Sequence, residues 1–289
     1  MLIAQISDTH ISTPGSRNDR DFRTVEHLER AVAHLNGLHP RPDVAIATGD
    51  LVERGQAEEY ERLRDIVAPL AMPLYLIPGN HDDRQNLVRT FEGHRYLPRD
   101  GGFLHYVVED WPVRLVAVDT LIPGESGGQL CAQRLHWLDA RLAEAADRAT
   151  LVFMHHPPFK TGIRKMDEMG LDGIAALERV IGRHAQVERI VCGHLHRSIT
   201  RRFAGTVACT APATAHQIAL DLGEVPRLAT VMEPPACLLH LWLGSDGGLV
   251  SHVSVIGERF RPFGVFDGHQ WLRDARPPEG FHPEFPTGT

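Results

Sequence analysis

Residues 74–83 read LYLIPGNHDD, a short apolar run that stops at a polar turn. The run Leu74–Ile77 is of the kind that buried strands show. Gly79 permits a tight turn or a close backbone approach beside a ligand, and Asn80 and His81 supply an amide oxygen and an imidazole. Ligands of α/β sheets bind at the carboxyl ends of strands, so this stretch predicts a site at a sheet edge.

The same arrangement, an apolar run followed at once by polar residues, recurs along the first two thirds of the chain. The runs are 2–6, 44–48, 74–77, 151–154 and 189–192, and the motifs that follow them are Asp8-Thr9-His10, Gly49-Asp50, Gly79-Asn80-His81-Asp82, His155-His156 and Gly193-His194-Leu195-His196. Loops that follow parallel strands can converge even when they are far apart in sequence. In Asp8-x-His10 and His194-x-His196, an extended backbone would direct the two outer side chains the same way.

Helical periodicity separates these runs. Val25, Leu28, Val32 and Leu35 recur at steps of three and four residues, and similar patterns lie near 60–67, 135–142 and 174–181. Asp82 and Asp83 are expected to cap a further helix that begins near Arg84. Alternating strands and helices predict an α/β fold with mixed sheets.

The helical pattern ends near residue 205, and strand-like runs follow it. We therefore expect a core over 1–205, then C-terminal strands over 206–260 that complete the sheet and form a cap or oligomerisation hairpin. The last stretch, 261–289, is rich in proline and carries Pro277, Pro278, Pro283 and Pro286 with Phe281 and Phe285, which predicts an extended tail. Exposed strand edges tend to be paired or covered, so the C-terminal strands predict a homo-oligomer.

Composition excludes several classes of protein. The formal net charge is −7, which argues against binding to a nucleic acid polymer, because that binding depends on phosphate neutralisation. The longest apolar runs are too short to cross a bilayer, so no membrane partner is expected. The 4 cysteines have no C-x-x-C spacing and the chain begins without a secretory signal, which predicts a cytoplasmic protein with reduced thiols.

Histidine is abundant, with 18 residues, and several of them lie in the motifs. Three motif residues offer oxygen and four offer imidazole nitrogen: Asp8, Asp50 and Asn80, and His10, His155, His194 and His196. A tetrahedral zinc ion needs only about four ligands. A larger set that includes a carboxylate able to bridge fits two ions, and mixed carboxylate and imidazole donors suit Fe, Mn, Zn or Co.

The five motifs, in this order, resemble the signature of calcineurin-like metallophosphoesterases. The forms ISDTH, IPGNHDD and MHHPP are most similar to the class III cyclic nucleotide phosphodiesterase group, which includes bacterial glycerophosphodiesterases. A weaker resemblance to the glycerophosphodiesterase branch continues through 211–217 and 235–240. The resemblance implies a four-layer sandwich in which helices flank two facing mixed β-sheets, with a small C-terminal β cap.

The resemblance also implies roles for the motif residues. One metal ion would be held by Asp8, His10, Asp50 and His196, and the other by Asp50, Asn80, His155 and His194. The catalytic residues would be Asp50 as the bridge and His81, which faces the phosphate and assists the leaving group; Asn80, His81 and His216 would contact substrate. His156 is expected behind the site, although it could exchange roles with its neighbour. Relatives of this branch tend to carry an aromatic residue near the entrance, where this chain has the charged segment 16–21.

The function implied by the resemblance is dimetal-dependent hydrolysis of small phosphodiesters of the cyclic nucleotide or glycerophosphodiester type, by in-line attack of a metal-bound hydroxide. A phosphomonoesterase of the same fold is the nearest alternative. A non-catalytic scaffold with this fold is the second alternative, since degenerate members of the superfamily serve that role after losing ligands. All of the predicted ligands are present here, which favours the enzyme.

Overall fold

The structure is a computed structural model that describes residues 1–225 and 227–257, together with the backbone of 264–266 and 271–276. The chain divides into two compact units, Met1–Ile256 and Gly257–Thr289. In the second unit, two short strands pair antiparallel. The rest of the tail predicted at 261–289 lies outside the described residues, and the division predicted at 205 and 260 stays a prediction.

Short strands and amphipathic helices alternate through most of the first unit. The helices are α1 (Arg17–Asp21), α2 (Thr24–Gly37), α3 (Ala57–Val67), α4 (Arg84–Thr90), α5 (Ala132–Ala143), α6 (Arg164–Asp167) and α7 (Ile174–Ile181). The strands are β1 (Leu2–Ile6), β2 (Val44–Thr48), β3 (Leu74–Ile77), β4 (Tyr106–Val108), β5 (Arg114–Val118), β6 (Gly128–Gln129), β7 (Thr150–Met154), β8 (Leu171–Asp172), β9 (Val187–Cys192), β10 (Ile199–Phe203), β11 (Thr206–Thr210), β12 (Gln217–Ile218), β13 (Thr230–Val231), β14 (Ala236–Trp242), β15 (Leu249–Val255), β16 (Gly264–Phe266) and β17 (Trp271–Arg276).

Two mixed sheets form the centre of the first unit. One has five strands in the order β15-β14-β1-β2-β3, and the other has six in the order β10-β11-β9-β7-β5-β4. Strands β1, β2 and β3 run parallel, as do β5, β7, β9 and β11. The C-terminal strand β14 pairs antiparallel with β1, and β15 follows it at the sheet edge.

The sheets face each other, and helices cover their outer surfaces. Leu115 and Ala117 of β5 pack in one hydrophobic core with residues of the five-stranded sheet, α2 and α3. Val116 and Val118 point the other way and pack with α5 and α7 in a second core. Alternation of side chains along a strand produces this division. The result is the predicted four-layer sandwich.

Polar loops follow the carboxyl ends of parallel strands in both sheets, and the sheets bring these ends together. The Gln5 amide group, at the end of β1, donates to Thr48 Oγ1 in its own sheet at 3.0 Å and to the Cys192 carbonyl in the other sheet at 2.9 Å. All these groups are buried. No helix in the part of the chain that the structure describes is long and apolar enough to cross a membrane.

Candidate metal centre

Backbone hydrogen bonds hold the motif loops against one another. The Asp8 amide donates to the Gly49 carbonyl at 3.1 Å, and the His10 amide donates to the Asp50 carbonyl at 3.0 Å. From the other sheet, the His194 amide donates to Asp8 Oδ1 at 3.0 Å. Each of these loops therefore depends on a neighbouring loop for its backbone partners.

Five of the predicted ligands have left-handed backbone conformations. Their φ angles lie between 44° and 69°, and they are Asp8, His10, Asp50, His194 and His196. Non-glycine residues rarely adopt this conformation, and it costs on the order of 1 kcal/mol or more at each position. The Asp8-x-His10 and His194-x-His196 segments are therefore not extended, and the condition under which their outer side chains would point the same way is not met. Tight turns direct these side chains into the site.

Two glycines allow the loops to approach closely. A Cβ on Gly79 would lie 2.2 Å from Asp50 Oδ1 and 2.3 Å from the Asp50 nitrogen. A Cβ on Gly193 would lie 2.1 Å from Ser7 Oγ and 2.9 Å from Asp8 Oδ2. Real Cβ atoms do not make contacts this short, so both positions require glycine for the loops to meet as they do.

A first group of donors surrounds one side of Asp50. His10 Nε2 lies 3.7 Å from Asp50 Oδ2 and 3.2 Å from His196 Nε2. His196 Nε2 in turn lies 3.5 Å from Asp8 Oδ1. These four side chains are buried and are those that the resemblance assigns to one metal ion.

A second group lies on the other side of the same carboxylate. His155 Nε2 is 3.3 Å from Asp50 Oδ2 and 3.1 Å from Asn80 Oδ1. The His194 ring lies 5.1 Å from the His155 ring, measured between centroids. A single oxygen, Asp50 Oδ2, therefore faces the imidazole nitrogens of both groups, as a bridging ligand must.

Three of these imidazoles use the ring nitrogen that points away from the site to donate a hydrogen bond, and this bond orients the other ring nitrogen toward the site. His155 Nδ1 donates to the Thr48 carbonyl at 2.8 Å, His196 Nδ1 to the His216 carbonyl at 2.9 Å, and His194 Nε2 to the Met169 carbonyl at 3.0 Å. In the neutral rings the inner nitrogens are then lone-pair acceptors.

Converging lone pairs repel each other unless a cation lies between them. Asp8 Oδ2 is also buried without a hydrogen-bond partner in the structure, and such orphaned groups call for an explanation. Each of the four clusters of possible ligand atoms among the described residues contains at least one residue of these groups. The donor set therefore fits metal ions.

The carboxylates favour positive charge in the site. Burial lowers the pKa of His10, but the hydrogen bond with Glu53 and the charge of Asp50 outweigh it and raise the pKa to about 9. Burial likewise opposes protonation of His155, and the Asp50 charge overcomes it to raise that pKa to about 9. His194 differs: burial, followed by the charge of His155, lowers its pKa to about 3. Cations that bind here would replace protons on His10 and His155.

His81 and His216 lie beside the first group. The His81 ring is 4.7 Å from the His10 ring, and the His216 ring is 4.9 Å from the His196 ring. The His81 amide donates to Asp50 Oδ1 at 2.9 Å, and its Nδ1 donates to the Glu53 carbonyl at 2.8 Å, which leaves Nε2 free. His216 Nδ1 is buried without a hydrogen-bond partner in the structure.

An aromatic residue does lie beside these histidines. Phe22, just after the charged segment 16–21, stacks on His216 with ring centroids 4.3 Å apart. The interpretation that the charged segment 16–21 replaces an aromatic residue in this loop is therefore corrected. Sequence reasoning missed Phe22 because the stacking depends on a contact across almost 200 positions of the chain.

His156 lies behind the site. Thr120 Oγ1 donates to its Nδ1 at 2.8 Å, and its Nε2 donates to the Ser126 carbonyl at 3.3 Å. Both ring nitrogens are thus occupied by protein partners, whereas His155 Nε2 faces Asp50. The geometry therefore favours His155 over His156 as the ligand.

Asp82 has a role that its sequence context did not indicate. Asp83 caps α4 by accepting from the Asn86 amide at 2.8 Å, as expected. Asp82 instead accepts from the Leu51 amide at 3.1 Å and the Gly79 amide at 2.8 Å. The expectation that Asp82 also caps this helix is therefore wrong, because its carboxylate turns inward to join the loops after β2 and β3.

Comparison with known proteins agrees with this geometry. The calcineurin-like phosphoesterase family matches residues 1–198. A probable glycerophosphodiester phosphodiesterase GpdQ of Arcobacter nitrofigilis is 38% identical over 268 residues, 92% of this chain and 97% of that protein. A probable cyclic nucleotide phosphodiesterase of Rhodopseudomonas palustris is 37% identical over 81% of this chain and 86% of its own.

Among solved structures, a dimetal phosphatase from Danio rerio has a TM-score of 0.58 at 17% identity and covers 89% of this chain and 99% of its own. At that identity the likeness concerns the fold. The family match and the two relatives are similar to this chain in sequence, and the similarity covers the region that carries the five motifs. The chain therefore belongs to the calcineurin-like phosphoesterase family.

Proposed function

We propose that this protein is a metal-dependent hydrolase of small phosphodiesters of the glycerophosphodiester or cyclic nucleotide type. The observation that carries the proposal is the position of Asp50 Oδ2, 3.7 Å from His10 Nε2 in one group of donors and 3.3 Å from His155 Nε2 in the other. In this proposal Asp8, His10, Asp50 and His196 hold one ion. Asp50, Asn80, His155 and His194 hold the second.

Two bound ions would supply an activated water and neutralise charge on the phosphate. The protein contributes orientation: the backbone bond from His81 to Asp50 and the bond from His81 Nδ1 to the Glu53 carbonyl fix the imidazole at the site. His81 Nε2 is then available to bind a phosphoryl oxygen or to give a proton to the departing alkoxide. In this proposal Asn80 and His216 also contact the substrate.

The relatives support the substrate class. The Arcobacter nitrofigilis and Rhodopseudomonas palustris proteins are both described as phosphodiesterases and match most of this chain. A diester carries one negative charge, so it needs no extended basic surface, in agreement with a net charge of −7. The same charge disfavours a nucleic acid polymer as substrate.

The test is a kinetic panel on one preparation whose metal content is known. Cyclic AMP, glycerophosphoethanolamine, an aryl phosphodiester and an aryl phosphomonoester are compared. We expect hydrolysis of at least one diester at a higher kcat/KM than the monoester. A preference for the monoester would indicate the phosphomonoesterase, and a metal-loaded protein inactive on the whole panel would indicate the scaffold.

His81→Ala is the matched variant for the chemical step. It should retain both metal ions and lose rate, most of all on diesters with poor leaving groups. The control is His252→Ala, because His252 is an exposed residue of β15. An equal loss on good and poor leaving groups would contradict a role for His81 in proton donation.

We further propose Fe, Mn, Zn or Co as the ions, because the donors mix carboxylate and imidazole. The cytoplasm is the proposed location, which the free thiols of all four cysteines support. A homo-oligomer through the C-terminal strands is proposed because β15 is an edge strand with exposed side chains at Val250, Val253 and Val255.

A further inference from the structure

Glu53 lies just after the loop that carries Asp50, and it makes two hydrogen bonds to histidines of the candidate metal centre. Its Oε2 accepts from His10 Nδ1 at 2.8 Å, and its backbone carbonyl accepts from His81 Nδ1 at 2.8 Å. Its side chain is 29% exposed. None of the five sequence motifs includes it.

His10 differs from the other predicted ligand imidazoles in the partner of its outer nitrogen. His155, His194 and His196 each donate to a neutral main-chain carbonyl. His10 donates to a carboxylate, and a charge-assisted bond of this kind is stronger and fixes the ring more firmly. Such a carboxylate also raises the basicity of the metal-facing nitrogen.

Asn18 supports the carboxylate from the other side. Its amide group donates to the same oxygen, Glu53 Oε2, at 2.7 Å, and the residue is buried although it belongs to the charged segment 16–21. The backbone of Glu53 is also held in place, because its amide donates to the Ile11 carbonyl at 3.0 Å. Hydrogen bonds thus connect Asn18 to Glu53 and Glu53 to His10, whose other ring nitrogen faces the site.

We propose that Glu53 is a positioning residue for the metal centre: it fixes His10 with Nε2 toward the ion, and Asn18 fixes Glu53. This inference rests on the proposed function, because it assumes that His10 binds a metal. It concerns the Glu53 side chain alone. Glu53 Oε2 also lies 3.7 Å from His81 Nδ1, but the hydrogen bond that holds His81 goes to the backbone carbonyl of Glu53, which every variant retains.

The experiment is a stepwise titration of the metal-free protein with Mn²⁺. Calorimetry measures the affinity of each binding step, and the electron paramagnetic resonance signal of the coupled ion pair reports when both sites are filled. In Glu53→Ala, we expect one of two binding steps to weaken by about 10- to 100-fold, as for other carboxylates behind a metal-bound histidine, while the other step is unchanged. Glu53→Gln keeps an oxygen acceptor without the charge and should weaken the step less. Asn18→Ala should shift the same step by a smaller factor.

Glu58→Gln is the control, because it removes the same charge from an exposed position on the nearby helix α3. It should bind both ions as the wild type does. Activity supplies a second measurement: kcat of Glu53→Ala should recover at Mn²⁺ concentrations that saturate the weakened step. Recovery would separate a loss of metal affinity from a general disruption of the site.

Wild-type affinity at both steps in Glu53→Ala would overturn the inference. So would a Glu53→Gln variant that is no better than Glu53→Ala, or a kcat that stays low at saturating Mn²⁺. Failure of the proposed function would be seen earlier and separately, as a wild-type protein that binds fewer than two ions or hydrolyses no ester.

Discussion

The substitution Gly79→Ala tests whether the loops after β2 and β3 must touch for the centre to form. The added Cβ would meet Asp50 Oδ1 at 2.2 Å, the Asp50 nitrogen at 2.3 Å and His155 Cε1 at 2.8 Å. Gly79 does not have a positive φ, so the effect of alanine is steric and not conformational. Ordinary van der Waals contact begins near 3.4 Å. To relieve the short contacts, Asp50 or residue 79 would have to move by roughly 1 Å.

A shift of that size exceeds what metal coordination tolerates, since ligand distances hold within about 0.2 Å. We expect Gly79→Ala to lose at least one of the two ions and to reduce kcat by about 100-fold or more. Overpacking of a buried loop should also lower the free energy of unfolding by about 1–3 kcal/mol. Elemental analysis, phosphodiester hydrolysis and urea unfolding measure the three effects.

Gly93→Ala is the matched control. A Cβ there meets nothing within 4 Å, and the residue is exposed and lacks a positive φ. It should keep both ions and normal turnover. If Gly79→Ala also kept two ions and wild-type turnover, close contact of these loops would not be a requirement of the site, and the geometric reasoning would fail.

Three further predictions address the bridge, the buried core and the sheet edge. Asp50→Ala should lose both ions and Asp8→Ala only one, and equal metal content in the two variants would contradict a bridging Asp50. Burial, and to a smaller extent the charge of Arg189, lowers the pKa of His240 to about 3 in the folded protein. Between that pH and about 6.5, the unfolded chain therefore binds more protons than the folded protein does. The free energy of unfolding should therefore be at its full value above that window and fall by up to about 5 kcal/mol as pH decreases through it. His240→Gln should flatten the pH dependence of the free energy of urea unfolding, and an unchanged slope would refute this. Val253→Lys adds a charge to exposed edge strand β15, so it should reduce the mass measured by light scattering, and an unaltered mass would argue against pairing at this edge.

Much of the fold was predictable because the central strands β1, β2, β3, β5 and β7 are buried on both faces. Such strands appear as continuous apolar runs, and the predicted runs 2–6, 44–48 and 74–77 coincide with β1, β2 and β3. The order of the motifs likewise predicted the family, which the match over residues 1–198 confirms. The α/β class and the sandwich are confirmed by the two mixed sheets and their flanking helices.

The contacts that support the site were not predictable in the same way. Glu53, Asn18, Phe22 and Asp82 lie outside the predicted ligand set, and nothing in their local pattern indicates a partner. Asp82 followed a sequence pattern typical of a helix cap, and that interpretation was wrong. Local patterns report on the neighbours of a residue in sequence, whereas these side chains bind loops from other strands.

The sequence by itself determined which residue types follow each strand, and therefore which donors a site at the sheet edge has available. Only the tertiary structure decided how those donors are oriented. Left-handed turns at Asp8, Asp50 and His194, and hydrogen bonds between loops far apart in the chain, direct the lone pairs into the site on both sides of Asp50. Strain of this kind persists only where the surrounding structure holds it, so it is a property of the packed sheets and is absent from any single motif.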